Sequence, residues 1–445
     1  MKKILLMLLA SLAVITPLSA QRLTIESYTL PNGLKVVLNE DHSAPLVAVN
    51  LWYHVGSKDE TPGQTGFAHL FEHMLFSGSQ HLGPYEYARR IESVGGTRNG
   101  STAFDRTNYY ATVPSRHLPM VLWLESDRMG FFLPAIDQKN LDVQKQVVKE
   151  ERRQRYDNVP YGTAFEDLLR LAFPAGHPYS WPTIGSMEDL SAAKLDQVTD
   201  FFKRWYKPNN AVLSIVGDFD PAVARGLVER YFASIPRGPE VDRAAIQPVN
   251  MTTEKRQVIH AEVPLPRVSR LYHLPKFGSD EWIAADLLSY ILMEGKASRL
   301  EKSLVYEKQL AKDVEGFVYP GEAAGIFLLS VTTPPGGSAE RAEAALDAEL
   351  ERVAKEGVTD AELGRALNLA ETDYANELSE FGSRANLLSQ TTTLFGDPRL
   401  ATTMMERYRA ISRETIRQVA ATYLTKTNRV TIHYLPKKAS EEASR

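Results

Sequence analysis

Hydrophobic and polar positions divide this chain into short segments of two different periods. Leu46–His54 is an apolar run rich in β-branched and aromatic residues, which predicts a buried strand. It follows a hairpin-like segment, Tyr28–Asn39, centred on Asn32-Gly33. Apolar positions spaced three and four apart predict helices over Gly66–Phe76, Tyr85–Val94, Pro119–Phe131 and Leu141–Tyr156. Between them, Gly96–Ala103 and Tyr109–Val113 read as strands. A helix at Leu195–Trp205, the turn Pro208-Asn209-Asn210 and the strand Ala211–Val216 close this first half. The stretch carrying Pro236, Gly238, Pro239 and Pro248 then reads as a linker.

The second half repeats the plan. Val268–Leu274 is again a strand leading into a helix, Trp282–Met293, and the chain ends on a helix from Thr415, a turn at Lys426-Thr427-Asn428 and a strand from Val430. Asn428 aligns with Asn210 and Val430 with Val212, both at an offset of 218 positions. The pattern predicts an α+β fold of two tandem homologous domains, residues 21–243 and 244–445. Each is expected to be a mainly antiparallel sheet with helices on one face.

Composition excludes several functions. A formal net charge of −4 over 445 residues speaks against a broad nucleic-acid-binding face. With no cysteine there are no disulfides, thiol nucleophiles or cysteine-held zinc sites, so a metal must be held by histidine and carboxylate. Lys2 and Lys3, the apolar run Ile4–Ile15 and Leu18-Ser19-Ala20 together predict a signal peptide over residues 1–20 and a periplasmic location. That run falls short of the roughly twenty residues of a membrane span, and no later stretch is long and apolar enough, so stable membrane insertion is not expected.

The chemistry concentrates in Gly66–Phe76. Residues three and four apart share a helix face, so His69, Glu72 and His73 project together while Leu70, Phe71, Met74 and Leu75 can pack. Two neutral imidazoles four residues apart can grip one zinc ion, and a carboxylate between them can serve as base without being a ligand. This is His-x-x-Glu-His, the inverted zincin motif. A hydrolytic zinc site takes a third protein ligand. In the helix Leu141–Tyr156 either Glu150 or Glu151 could serve, and spacing does not choose between them.

The run Gly66–Gly78 (GFAHLFEHMLFSG) closely resembles the pitrilysin family, which includes the mitochondrial processing peptidases and insulin-degrading enzyme. Gly95–Thr102 and Thr107–Tyr110 look like its substrate-strand segment, Val147–Glu151 like the helix bearing its distal ligand, and Tyr206–Ala211 like its domain-closing strand. In that family the distal ligand follows the valine pair by three residues, which selects Glu151. The resemblance implies a zinc endopeptidase for short unstructured peptides, with one zinc per chain held by His69, His73 and Glu151 and with Glu72 as general base. If the strand around Arg98–Thr102 lies at a sheet edge, it would take the peptide as an added strand, with Asn99 and Gly100 as contacts. The helix around Asp286–Tyr290 holds no histidine, so the second half is expected to carry no metal.

Two other classes compete: a non-catalytic structural or regulatory subunit, and a zinc-storage module. The complete His69, Glu72, His73 set argues against the first, and Glu72, which binds no metal, against the second. The resemblance also implies that the chain is half of a peptidase chamber. The family's second half usually bears an arginine and, seven residues on, a tyrosine that support the developing oxyanion. Val305 and Lys312 stand in those places here, and Arg299 and Tyr306 lie too early to carry the role. The expected partner is therefore a homologous subunit lacking the zinc motif, with a homodimer as the alternative.

Overall fold

The structure, a computed structural model, describes residues 23–243 and 245–437; the expected signal peptide lies outside the described residues. Six strands form the first sheet: β1 (Ile25–Thr29), β2 (Lys35–Glu40), β3 (Leu46–Tyr53), β4 (Thr97–Thr102), β5 (Thr107–Pro114) and β6 (Ala211–Gly217). Five form the second: β7 (Lys255–Ala261), β8 (Arg267–Leu274), β9 (Asp313–Tyr319), β10 (Gly325–Thr332) and β11 (Arg429–Pro436). Spatial order is β1-β2-β6-β3-β5-β4 in one and β7-β11-β8-β10-β9 in the other. Leaving β1 aside, the two orders are the same permutation. Pairing is antiparallel throughout except for β2 with β6 and β7 with β11, which occupy matching places and are parallel.

Alternation along the strands explains the packing. In the first sheet Val36, Leu38, Val47, Val49, Leu51, Leu213 and Ile215 meet the helices of their own half, while Val37, Ala48, Val212 and Val216 face the other way. Both sets are buried, which is why these strands read as nearly unbroken apolar runs.

Helices cover both faces of each sheet, and the expected single layer accounts only for each half's own helices. The outer face of the first sheet is covered by a helix of the second half, Phe381–Phe395, through Phe381, Ala385, Leu387 and Leu388. Ser389 Oγ also donates to Ser214 Oγ at 2.8 Å. Reciprocally, the first-half helix Ala164–Ala172 lays Leu168, Leu169 and Ala172 on Leu271, Ile326, Leu328, Val430 and Ile432 of the second sheet. Each leucine, isoleucine or valine in these contacts contributes about 1.5–3 kcal/mol on burial. The halves have exchanged one helix each.

Candidate metal centre

Two helices build the site: α1 (Phe67–Met74) and, after α2 (Glu86–Ser93) and α3 (Leu118–Phe131), the helix α4 (Gln138–Arg152). α1 buries Phe67, Ala68, Leu70, Phe71 and Met74, which turns His69, Glu72 and His73 to its other side. Its N-terminus starts from Gly66 in the left-handed region, φ 88°. The Glu60 carboxylate accepts from the Gly66 and Ala68 N–H groups at 2.9 and 2.8 Å, satisfying donors the helix cannot.

α4 is held to α1 through a loop. Arg152 donates from Nη1 to the Gly185 carbonyl at 2.7 Å and from Nη2 to Glu166 at 2.9 Å. Gly185 in turn lies so close to Gly66 that a Cβ on it would sit 2.4 Å from the Gly66 Cα. This contact sets the separation of the two helices. Beyond Arg152 the helix widens into a π-turn over Arg153–Asp157, a local irregularity often found at functional sites.

His69, His73 and Glu151 converge, with one donor atom from each lying within 4.8 Å of the others. Glu151 Oε2 is 3.2 Å from His73 Nε2 and 3.7 Å from His69 Nε2. Ligands on a tetrahedral zinc ion at about 2.1 Å stand about 3.4 Å apart, close to both Glu151–imidazole separations, so this donor set suits the metal. The other Glu151 oxygen is held by Arg155 at 2.7 Å. Glu150 points away, to Arg153 and Gln154, each at 3.1 Å. Burial, with the neighbouring His73, pulls His69 down to about 4, so its imidazole is neutral at pH 7 as a metal ligand must be. The bond from His73, opposed by burial, holds Glu151 below the ordinary carboxylate range.

Glu72 stands beside this set without joining it. Its Oε2 accepts from Thr102 Oγ1 at 2.7 Å. Burial raises its carboxyl above the ordinary value, in the direction that makes it a stronger base. Gly100 lies directly under it, and a Cβ there would come 2.9 Å from Glu72 Cγ.

β4 is the edge strand of its sheet, paired only with β5. The Ala103 N–H donates to the Arg106 carbonyl, so alternation turns the backbone groups of Arg98, Gly100 and Thr102 toward the open edge. Asn99 is exposed, and its Oδ1 accepts the Gly100 N–H at 2.9 Å. Asn99, Gly100 and Thr102, with Glu72 and the three convergent side chains, line a cleft of about 330 Å3. No residue of the second half lines it among those described. The Asp280–Met293 helix of that half holds no histidine, and its Asp286 bonds Tyr408 instead.

Three contributors escape the sequence. Glu60 is remote from any capping spacing and carries no local signal. Thr102 was within reach, because residues two apart on a strand share a face and it therefore joins Gly100. Arg155 reaches Glu151 at a spacing of four, a helical pair hidden inside a charged run.

Residues 35–184 match the insulinase family (peptidase family M16), and residues 192–369 match the peptidase M16 inactive domain. The zinc protease PqqE of Helicobacter pylori is 32% identical over 371 residues, covering 82% of this chain and 82% of that protein. An uncharacterized zinc protease of Streptomyces coelicolor is 26% identical over 89% of this chain and 86% of its own length. Among solved structures, a protease from Helicobacter pylori superposes with a TM-score of 0.88 at 29% identity, over 93% of this chain and 100% of that one. The periplasmic protease PqqL from Escherichia coli gives 0.73 at 18% identity, over 93% of this chain but 48% of that one.

Proposed function

Because this chain belongs to peptidase family M16, we propose that it is a zinc endopeptidase that hydrolyses short, unstructured peptides in the periplasm, with Glu72 as its base. The observation carrying this is the convergence of His69, His73 and Glu151 beside a carboxylate that takes no part in the cluster. Zinc held by those three, one ion per chain, supplies Lewis acidity toward the scissile carbonyl and toward water. Glu72 accepts the proton of the attacking water and passes it to the leaving amine. Thr102, donating to one Glu72 oxygen, leaves the other free for this transfer. The open edge of β4 pairs with the peptide backbone at Gly100, displacing the Asn99 side chain from the Gly100 N–H. Backbone pairing selects for extension over sequence, which suits unfolded substrates.

The working enzyme in this proposal is a heterodimer. The Val305 side chain packs partly buried against the second core and can donate nothing, and Lys312 is exposed just before β9. Arg299 is tied to Glu362 at 2.6 and 2.8 Å. With no donor from the second half in the cleft among the described residues, a homologous subunit lacking the zinc motif would complete it. PqqL, whose length is about twice the matched portion, supports a chamber built from two such units.

The test is cleavage of an internally quenched, unstructured peptide by the purified chain, alone and with a homologue lacking the motif. Chelation should abolish turnover and added zinc restore it; hydrolysis at full rate without metal contradicts the proposal. Full activity as a homodimer, unchanged by substituting Val305 or Lys312, removes the heterodimer while leaving the zinc site standing.

A further inference from the structure

On the face of the first sheet turned away from α1 lies a second cavity, of about 420 Å3. That is within the roughly 300–1,000 Å3 of small-molecule sites. One wall is the sheet, with Arg106, Asn50 and Asn108; the other is the second half's Glu377, Glu380 and Asn386. Strand alternation turns it away from the zinc cleft, since Tyr110 and Asn108 look to this side while Tyr109 is buried on the other, and Ser101 of the edge strand is the residue the two share.

The sheet wall carries more donors than its acceptors satisfy. Arg106 Nη1 donates to the Ser101 carbonyl at 2.9 Å, to Ser101 Oγ and to Asn108 Oδ1 at 2.8 Å, and the guanidinium lies 5.8 Å from the Trp52 ring; among the described residues its Nε and Nη2 make no hydrogen bond. Among the described residues no carboxylate pairs with this guanidinium. Asn50 is 1% exposed, and its Nδ2 has no partner. Buried donors in this state cost free energy unless a ligand or water accepts from them. The opposite wall is anionic. Among the described residues Glu377 has no hydrogen-bond or ion-pair partner, and burial raises its carboxyl. Glu380 uses Oε2 on the Ser383 N–H at 3.0 Å and keeps Oε1 free.

We propose that this cavity binds a small zwitterion, a free α-amino acid or a dipeptide, with its carboxylate on Arg106 and Asn50 and its ammonium on Glu377 and Glu380. A plain anion would leave Glu377 unmatched, and a plain cation would leave Arg106 unmatched. The site does not depend on the zinc proposal, and its ligand is defined by the two walls alone.

Isothermal titration calorimetry on the full chain carrying Glu72→Gln tests this, using L-alanine, Ala-Ala, N-acetyl-Ala-Ala and Ala-Ala-amide with and without chelator. Either alanine or Ala-Ala should bind one to one and bind equally after chelation, and which of them binds distinguishes amino acid from peptide. Each blocked peptide should bind at least tenfold more weakly than Ala-Ala where Ala-Ala is the ligand. Arg106→Gln should abolish binding. As Arg106 also braces β4, Glu377→Gln is the second variant: it should weaken the zwitterion tenfold or more. Absence of binding at millimolar concentration, binding lost on chelation, blocked forms binding as well as the free peptide, or indifference to Glu377→Gln would each overturn the proposal.

Discussion

Glu72 and Glu151 are two carboxylates in one cleft whose surroundings assign them different work. Glu151 faces two imidazoles and an arginine, which keep it ionised and directed at the metal position. Glu72 is buried against Gly100 with a single hydroxyl donor. Glu72→Gln keeps the shape and all three ligands but removes the base. Metal analysis should show near-normal zinc, while peptide turnover drops by at least about a hundredfold; wild-type turnover would refute the assignment. Glu151→Gln should lose zinc on dialysis, whereas Glu150→Gln, altering a side chain that bonds Arg153 and Gln154, should retain it. Because a metal bound only by the folded state stabilises it by mass action, added zinc should raise Tm for Glu150→Gln and not for Glu151→Gln.

At the scale of elements, the edge strand and the metal helix are coupled at Gly100. Gly100→Ala places a methyl against the Glu72 side chain and the edge of the Phe76 ring, not backbone, so the fold should persist while Glu72 is pushed aside. We expect zinc content and Tm close to wild type with activity reduced at least about tenfold, roughly 1.4 kcal/mol of barrier. Unchanged turnover would show that Glu72 needs no such fit.

Elements with local signals were legible. The helix Leu195–Trp205 stands where its periodicity placed it, and the His-x-x-Glu-His face follows from helical spacing alone. The reading of Leu141–Tyr156 as one helix merged α4 with its π-turn, whose apolar spacing differs little over five residues. Two things had no local signature. The parallel pairing of β2 with β6 joins strands far apart in the chain. The approach of Glu151 to the histidines rests on Arg152, Gly185 and Gly66 meeting across two elements, and only family resemblance chose it over Glu150.

In the whole molecule the halves meet at a second, polar seam. Glu322, on the turn between β9 and β10, accepts from His54 at 2.8 Å and pairs with the buried Lys58 at 3.2 Å. Its main-chain N–H donates to Asp105 at 3.1 Å. Burial works against the Glu322 carboxylate, but His54 and Lys58 outweigh it and bring its pKa from 4.5 to about 2. A folded value below the unfolded one stabilises the protein above about pH 4.5, and that contribution is lost as pH falls toward 2. Glu322→Gln should therefore lower Tm at pH 7, with the gap to wild type closing as pH drops through that window. A gap independent of pH would locate its effect in shape, not charge.

The exchanged helices also impose an order in time. β6 completes the first sheet at Gly217, yet the helix that covers its outer face begins only at Phe381, 164 positions later (381 − 217). Emerging first, Val37, Ala48, Val212 and Val216 reach the compartment where they fold ahead of the helix that covers them. During that interval the nascent chain presents an apolar sheet face to whatever is nearby, and it calls for a chaperone or for delayed collapse. Residues 21–250 produced alone should aggregate or bind a hydrophobic dye, whereas co-expression with residues 251–437 should yield a soluble, co-purifying pair. A first fragment that is monomeric and dye-silent by itself would mean that the face finds cover without its distant helix.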